Sequence, residues 1–216
     1  SAFAESIISF QRVSKGSLDA GNLEAMSDAL TKVTAEMGTT AQGTTAFAET
    51  FAPVGEQLGM TQSQMLGLSS AFEKGGVSGQ KAITAFNQVL DGMHGSIRDG
   101  GRQFEAYASA IGVTNEEFKS LMENDSTEAV MQFFEAIGKG DTGSERTLDK
   151  LGFGVRTTQS IRQVAAGGNL RESVSAAQAG FGSGATGKAA EAAFSGLNDT
   201  ITKTNQSLEH LSEAAG

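Results

Sequence analysis

Two short stretches of this sequence each contain the end of one helix and the start of the next. The first is LGMTQSQMLGL, from Leu58, and the second is IGVTNEEFKSL, from Ile111. Glycine is favoured where a helix ends in a left-handed conformation because it has no Cβ, and the apolar residue that follows can pack against the last turn. We call this arrangement a helix joint. A chain with such short joints is expected to fold from tightly connected helices.

The polar residues of each joint predict how the next helix begins. A threonine lies two residues after the glycine, and a glutamine or glutamate lies three residues after that threonine. Such a pair can form a capping box, in which each side chain bonds to the backbone N–H of the other residue. The residues concerned are Gly59, Thr61 and Gln64 in the first joint and Gly112, Thr114 and Glu117 in the second. A third Leu-Gly-apolar helix end, without a threonine cap, lies at Gly152.

The spacing of apolar residues along the rest of the chain predicts the fold class. Apolar residues recur three and four positions apart, as in amphipathic helices, and no run alternates with the period of a strand. The chain contains 28 glycines and one proline among 216 residues, which favours many short helices that end at glycine. The sequence therefore predicts an all-α protein: a compact multi-helix domain of short helices, followed by a helix that can form a coiled coil.

Changes in composition divide the chain into four predicted regions. In order, these are amphipathic helices over 1–43, a helical core over 44–166, a polar helix with a Gly/Ser linker over 167–188, and a heptad-patterned helix over 189–216. The first residues, SAFAESIISF, lack an initiator methionine and predict a fragment of a longer polypeptide.

Three features interrupt the helical pattern. Pro53 lies inside a predicted helix, where it can cause a kink. The glycine-rich stretch 91–101 is expected to be a loop or a broken helix, and GKGDTGSE, at 138–145, is expected to be a loop.

The last region has the pattern of a self-associating helix. Apolar residues alternate at spacings of three and four, which is the a/d pattern of a coiled coil with one polar member. This seam consists of Phe194, Leu197, Ile201, Thr204, Leu208 and Leu211. It predicts a homo-oligomer, with three copies as the suggested number; the alternative is an amphipathic helix that packs on its own domain.

Charge and composition exclude several classes of function. A net charge of −9 opposes wrapping around a nucleic-acid backbone or binding an anionic membrane surface. No apolar stretch approaches the length of a membrane-spanning helix. The absence of cysteine removes disulfides, thiolate catalysis and zinc–thiolate sites.

The candidate catalytic residues form no recognisable motif. His94 and His210 are far apart in sequence, and neither belongs to a metalloprotease or nucleophile-elbow pattern. Four carboxylates cluster in NEEFKSLMEND, but carboxylates at helix ends are usually caps or solvated groups. They are Glu116, Glu117, Glu123 and Asp125. The sequence predicts no catalytic residue, no metal and no cofactor.

Two further patterns resemble ligand sites only in part. GSGATGKA, from Gly182, has the spacing of a phosphate-binding loop, but Ala189 replaces the hydroxyl that would bind Mg²⁺. We therefore expect a flexible Gly/Ser linker there. The basic residues Arg146, Lys150, Arg156, Arg162 and Arg171 are interleaved with acidic ones, which favours a solvated face over a specific nucleic-acid site.

Three blocks in a fixed order carry a resemblance to a known family. They are LGMTQSQMLGLSSAFEKGGVSGQKAITAFNQVL, YASAIGVTNEEFKSLMENDSTEAVMQFFEAIGKG and LDKLGFGVRTTQSIRQVAAG. Over residues 44–166 the chain resembles the core region of tail tape measure proteins of long-tailed bacteriophages, of the lactococcal-phage type.

The resemblance implies a non-enzymatic structural component of a phage tail. Such a protein takes part in tail assembly and length determination, is carried in the tail lumen of the virion and leaves at DNA ejection. Its implied partners are tail tube proteins, tail-tip proteins and tail assembly chaperones, and it would be assembled in the host cytoplasm. The alternative is a generic soluble helical interaction or adaptor module.

Overall fold

Helices account for most of the backbone that the structure describes. The computed structural model describes residues 2–140, 142–166 and 170–190, of which 83% are helical and none is in a strand. The prediction of a compact all-α domain is confirmed. The helices are α1 Ala2–Val13, α2 Ala20–Met37, α3 Ala41–Gln57, α4 Gln62–Lys74, α5 Gly79–Asp99, α6 Gly101–Ile111, α7 Asn115–Asn124, α8 Ser126–Gly138, α9 Thr142–Leu151, α10 Val155–Ala166 and α11 Leu170–Gly180. Helical backbone resumes over residues 185–190.

Helix α5 passes through a stretch that the sequence predicted to be a loop or a broken helix. The prediction is wrong for 91–99, where α5 is continuous and packed, with Met93 and Ser96 buried. The helix does break at Gly100, which separates α5 from α6. Gly92 lies under the side chain of Tyr107, and a Cβ at Gly92 would lie only 2.2 Å from the Tyr107 hydroxyl oxygen. Glycine here permits a close contact between α5 and α6 rather than ending the helix.

The loop predicted over 138–145 is also mostly helical. Helix α8 includes Gly138, and α9 begins at Thr142. Gly138 lies close to α10, where a Cβ would be 2.6 Å from the carbonyl oxygen of Ala165. The hydroxyl of Ser144 donates a hydrogen bond of 2.9 Å to the carbonyl of Ala136, which connects α9 to α8. These contacts extend both helices beyond their predicted ends.

The helices form two groups that share one continuous apolar core. In the first group, α11 packs on α2 and α4, while α3 packs on α1 and α4. In the second, α10 packs on α5 and α8, and α6 packs on α8 and α9. Buried side chains from α1 to α11 belong to a single cluster. The packing therefore joins residues of the ranges 1–43 and 167–188 to the central range 44–166.

Two glycines allow α11 to approach its neighbours at backbone distance. A Cβ at Gly67 of α4 would lie 2.5 Å from the Cα of Val174, and a Cβ at Gly180 would lie 2.9 Å from the Cα of Ala29 in α2. The buried hydroxyl of Ser173 donates to the carbonyl of Gly67 at 2.6 Å. Helix α11 is therefore held between α2 and α4 by surfaces that have no room for a larger residue.

Candidate functional site

Both predicted joints are present in the structure. The glycines have positive φ angles, +69° at Gly59 and +76° at Gly112. In the first joint, the N–H of Met60 donates to the carbonyl of Gly55 at 2.9 Å, and the equivalent bond from Val113 in the second joint is 3.0 Å. These bonds are those of the Schellman motif, which satisfies carbonyl groups at a helix end.

The capping boxes complete each joint. Thr61 Oγ1 accepts from the N–H of Gln64 at 3.2 Å, and Gln64 Oε1 accepts from the N–H of Thr61 at 2.7 Å. In the second joint, Thr114 Oγ1 accepts from the N–H of Glu117 at 3.2 Å, and the Glu117 carboxylate accepts from the N–H of Thr114 at 2.8 Å. The bonds from the backbone N–H and the hydroxyl of Thr114 hold the pKa of Glu117 below its usual value.

Removing the cap of α7 is expected to destabilise the protein modestly. Thr114→Ala loses the acceptor for the Glu117 N–H and should lower the free energy of unfolding by about 1 kcal/mol, as measured by urea denaturation. Thr84→Ala is the matched control, because the exposed hydroxyl of Thr84 bonds only to a carbonyl of its own helix. An equal loss in both variants would contradict a capping role for Thr114.

The third helix end differs from the two joints. Gly152 has a φ of +70°, and its N–H donates to the carbonyls of Leu148 and Asp149 at 3.2 Å. Helix α10 then starts at Val155, whose side chain is 77% exposed. No threonine side chain caps this start, as the sequence indicates.

Two of the four acidic residues around α7 act as helix caps. Glu117 belongs to the capping box at the start of α7, and the Asp125 carboxylate accepts from the N–H of Glu128 at 3.0 Å to cap α8. Glu116 and Glu123 are exposed. Glu123 and Asp125 do line a polar groove of about 370 Å³ beside the first joint, but Asp125 is engaged as a cap there.

Nine aromatic rings form a continuous row, which we call the aromatic chain; eight of them are buried and Phe104, at one end, is partly buried. Neighbouring ring centroids lie between 5.3 and 6.3 Å apart, the separation at which aromatic pairs attract each other. The chain connects six helices, α3 to α8. In order, its members are Phe47, Phe72, Phe51, Phe86, Phe134, Phe133, Tyr107, Phe118 and Phe104.

The structure separates the basic residues into paired and unpaired groups. Arg162 pairs with Glu145, and Arg171 pairs with Glu128 and with Glu135. Arg156 is exposed at the start of α10.

Arg146 and Lys150, with Lys139, line a groove of about 280 Å³ between the ends of α6 and α8 and one face of α9. These three cations form no ion pair with another residue that the structure describes. All three are exposed, so the groove is open to solvent. It can contact an anionic group, but it does not enclose one.

The stretch that resembles a phosphate-binding loop is already occupied by a carboxylate. The N–H groups of Gly184 and Thr186 donate to the two oxygens of Asp28, at 2.7 and 2.8 Å. In a working phosphate loop, such N–H groups would contact phosphate and would follow a strand, whereas here they follow α11. This segment was predicted to be a flexible linker, but it is attached to α2.

Protonation of Asp28 is expected to weaken this attachment only in acid. Burial acts to raise the pKa of Asp28, but hydrogen bonds from Thr186 and Gly184 outweigh it, so the pKa lies below its usual value. A carboxyl group of this kind stabilises the fold above its unfolded pKa, and the contribution is lost as the pH falls through the folded pKa. The difference in free energy of unfolding between the wild type and Asp28→Asn should therefore be constant near neutral pH and shrink below about pH 4. Urea denaturation at a series of pH values measures it, and a difference that grows in acid would contradict the assignment.

The remaining sequence predictions concern the two histidines, the seam, metal sites and membrane-spanning helices. His94 is exposed on α5, while His210 and the whole seam from Phe194 to Leu211 lie outside the described residues. Among the residues that the structure describes, no group of three or more acidic or histidine side chains is arranged to hold a metal ion. No described helix is long and apolar enough to cross a membrane.

Sequence reasoning missed the contacts that join distant parts of the chain. One is Asp28; another is Glu73, whose carboxylate accepts from the hydroxyls of Thr40 and Thr44, each at 2.8 Å. The signal for these contacts in the sequence was a polar residue on an otherwise apolar helix face, as at Asp28 and Thr44, both of which are buried.

Comparison of the chain with protein-family models, curated protein sequences and solved structures found no match.

Proposed function

We propose that this chain is part of a tape measure protein of a long-tailed bacteriophage and serves as a non-enzymatic structural component of the tail. The observation that carries the proposal is the order of the three sequence blocks within residues 44–166. The first block supplies the first joint and the second block supplies the second joint, and the third contains the helix end at Gly152.

The roles of the residues in these blocks support a structural function. Six of the nine rings of the aromatic chain come from the first two blocks: Phe72, Phe86, Tyr107, Phe118, Phe133 and Phe134. The same blocks provide both capping boxes. What the chain shares with the family is therefore a set of residues that end, start and pack helices, and such residues maintain a shape rather than perform a reaction.

Within such a protein, this domain is a compact body rather than the measuring rod. Its longest described helix, α5, has 21 residues and thus spans about 30 Å at the rise of an α-helix. Length determination by a continuous helix would fall to other parts of the polypeptide. The domain would travel in the tail lumen of the virion, after assembly in the host cytoplasm, and leave at DNA ejection.

The proposed partners follow from the same assignment. They are tail tube and tail-tip proteins, tail assembly chaperones, and further copies of this chain, with three as the suggested number. Self-association rests on the seam Phe194, Leu197, Ile201, Thr204, Leu208 and Leu211. Sedimentation equilibrium of the wild type against Ile201→Asp and Leu208→Asp tests it: the wild type should associate and both variants should stay helical but monomeric. A wild type that remains monomeric at millimolar concentration would contradict the seam.

Antibodies raised against this chain test the tail assignment. In virions produced by the strain that encodes it, the antigen should be present, inaccessible to antibody in intact particles, and released when ejection is triggered. Antibody against the tail tube protein is the control, because that antigen should remain with the empty particle. Detection only in cellular fractions, with co-purified cellular proteins, would contradict the proposal and favour the helical adaptor alternative.

A further inference from the structure

The segment after α11 turns back across α2 and is held there by a few polar contacts. We call residues 181–190 the strap. The turn uses positive φ angles at Gly182 and Gly184, +67° and +71°. Asp28 of α2 accepts from the N–H groups of Gly184 and Thr186. The hydroxyls of Thr31 and Thr186 also bond to each other, at 3.2 Å.

Burial differs sharply on the two sides of this contact. Asp28 is only 2% exposed, whereas most strap residues are exposed and none is fully buried. The largest apolar side chain of the strap, Phe181, is 45% exposed. Helix α11, directly before the strap, places Val174, Ala176 and Ala177 in the core. The strap is therefore attached by hydrogen bonds, while α11 is attached by apolar packing.

We propose that the strap is a detachable segment that opens from α2 while α1–α11 stay folded, and that Asp28 is the residue that holds it closed. Segments that bury little apolar surface open locally at a lower free energy than the core. The consequence is a change in the path of the chain after Gly180, controlled by one side chain. This inference does not depend on the proposed tail function, since it concerns only contacts within the chain.

The attachment of the strap depends on both carboxylate oxygens of Asp28, so a nearly isosteric substitution at this position should weaken it. Each carboxylate oxygen accepts one N–H, and both N–H groups lie at the start of the helical backbone over 185–190, where anionic acceptors are favoured. An asparagine at position 28 has one oxygen, so its NH₂ group would face one of the two N–H groups. Asp28→Asn therefore weakens the attachment without changing the volume of a buried side chain.

Amide hydrogen exchange of the 216-residue chain, followed by NMR, tests the proposal. In the wild type, the amides of Gly184 and Thr186 should exchange through a local opening whose free energy does not change at low urea concentration. The buried amides of α11 should instead exchange through global unfolding, whose free energy falls as urea is added. In Asp28→Asn, exchange at Gly184 and Thr186 should accelerate about tenfold or more, with exchange in α11 nearly unchanged. Asp19→Asn is the matched control, because Asp19 is exposed and caps α2 itself by accepting from the N–H of Asn22.

Three results would overturn the proposal. If Gly184 and Thr186 in the wild type exchange only with global unfolding, then the strap is part of the core. If Asp28→Asn leaves their exchange unchanged, then Asp28 does not hold the strap. If Asp28→Asn accelerates exchange equally throughout α11, then Asp28 supports the whole domain; the wild-type measurement needs no variant and stands even if Asp28→Asn fails to fold.

Discussion

Gly67→Ala should destabilise the protein by about 2 kcal/mol, although alanine is the better helix former. The added Cβ would lie 2.5 Å from the Cα of Val174 and 2.8 Å from the carbonyl oxygen of Ser173. Both are backbone atoms, so no side-chain rotation can relieve the contact and α11 must shift away from α4. The shift would also stretch the buried hydrogen bond from Ser173 to the Gly67 carbonyl. The free energy of unfolding from urea denaturation measures the effect.

Gly95→Ala is the matched control for this substitution. Gly95 also lies inside a helix, α5, but a Cβ there would have only the end of the Arg98 side chain within 4 Å, at 3.9 Å. Replacing a helical glycine with alanine where space is free stabilises a helix by about 0.5–1 kcal/mol. The two variants should therefore change stability in opposite directions. A Gly67→Ala protein as stable as Gly95→Ala would show that α4 and α11 do not pack this closely.

Phe86→Ala is expected to cause the largest loss of stability, about 4 kcal/mol. Phe86 is fully buried and lies in the middle of the aromatic chain, with ring centroids 5.3 Å from Phe51 and 6.2 Å from Phe134. Its removal leaves a cavity between α3, α5 and α8 and removes the ring contact between Phe51 of the first helix group and Phe86 of the second. Urea denaturation and the melting temperature both report the loss.

Phe181→Ala serves as the control for Phe86→Ala. It deletes the same side chain from the strap, where the ring is 45% exposed, so we expect a loss below about 1 kcal/mol. The comparison separates burial in the aromatic chain from the general effect of removing a phenylalanine. Similar losses in the two variants would contradict the central position of the aromatic chain in the core.

Gly67→Ala and Asp28→Asn act on consecutive parts of the chain but should give different results. Gly67→Ala moves α11, which belongs to the core, so hydrogen exchange should accelerate throughout α2, α4 and α11. Asp28→Asn should affect the strap alone. The two variants therefore distinguish the packing of α11 in the core from the attachment of the strap to α2.

Local chemistry made the helix joints predictable from the sequence. A Schellman bond joins residues five positions apart, as at Met60 and Gly55, and a capping box joins residues three positions apart, as at Thr61 and Gln64. Every atom that makes these bonds belongs to a short continuous stretch, so residue type and spacing are sufficient to identify them. The all-α class followed in the same way, because the apolar spacing of each helix reflects the face that it buries.

Contacts between distant residues decided the rest. The sequence predicted breaks at glycines in α5 and at the end of α8, but Tyr107 lies over Gly92 and Ala165 lies against Gly138. Asp28 bonds to Gly184 and Thr186 across more than 150 residues, so its partner N–H groups could not be read from its own helix. A glycine that ends a helix and one that admits a neighbouring helix have the same local sequence signal. Only the tertiary structure distinguishes these two kinds of glycine, because the atoms that pack against the second kind belong to another helix.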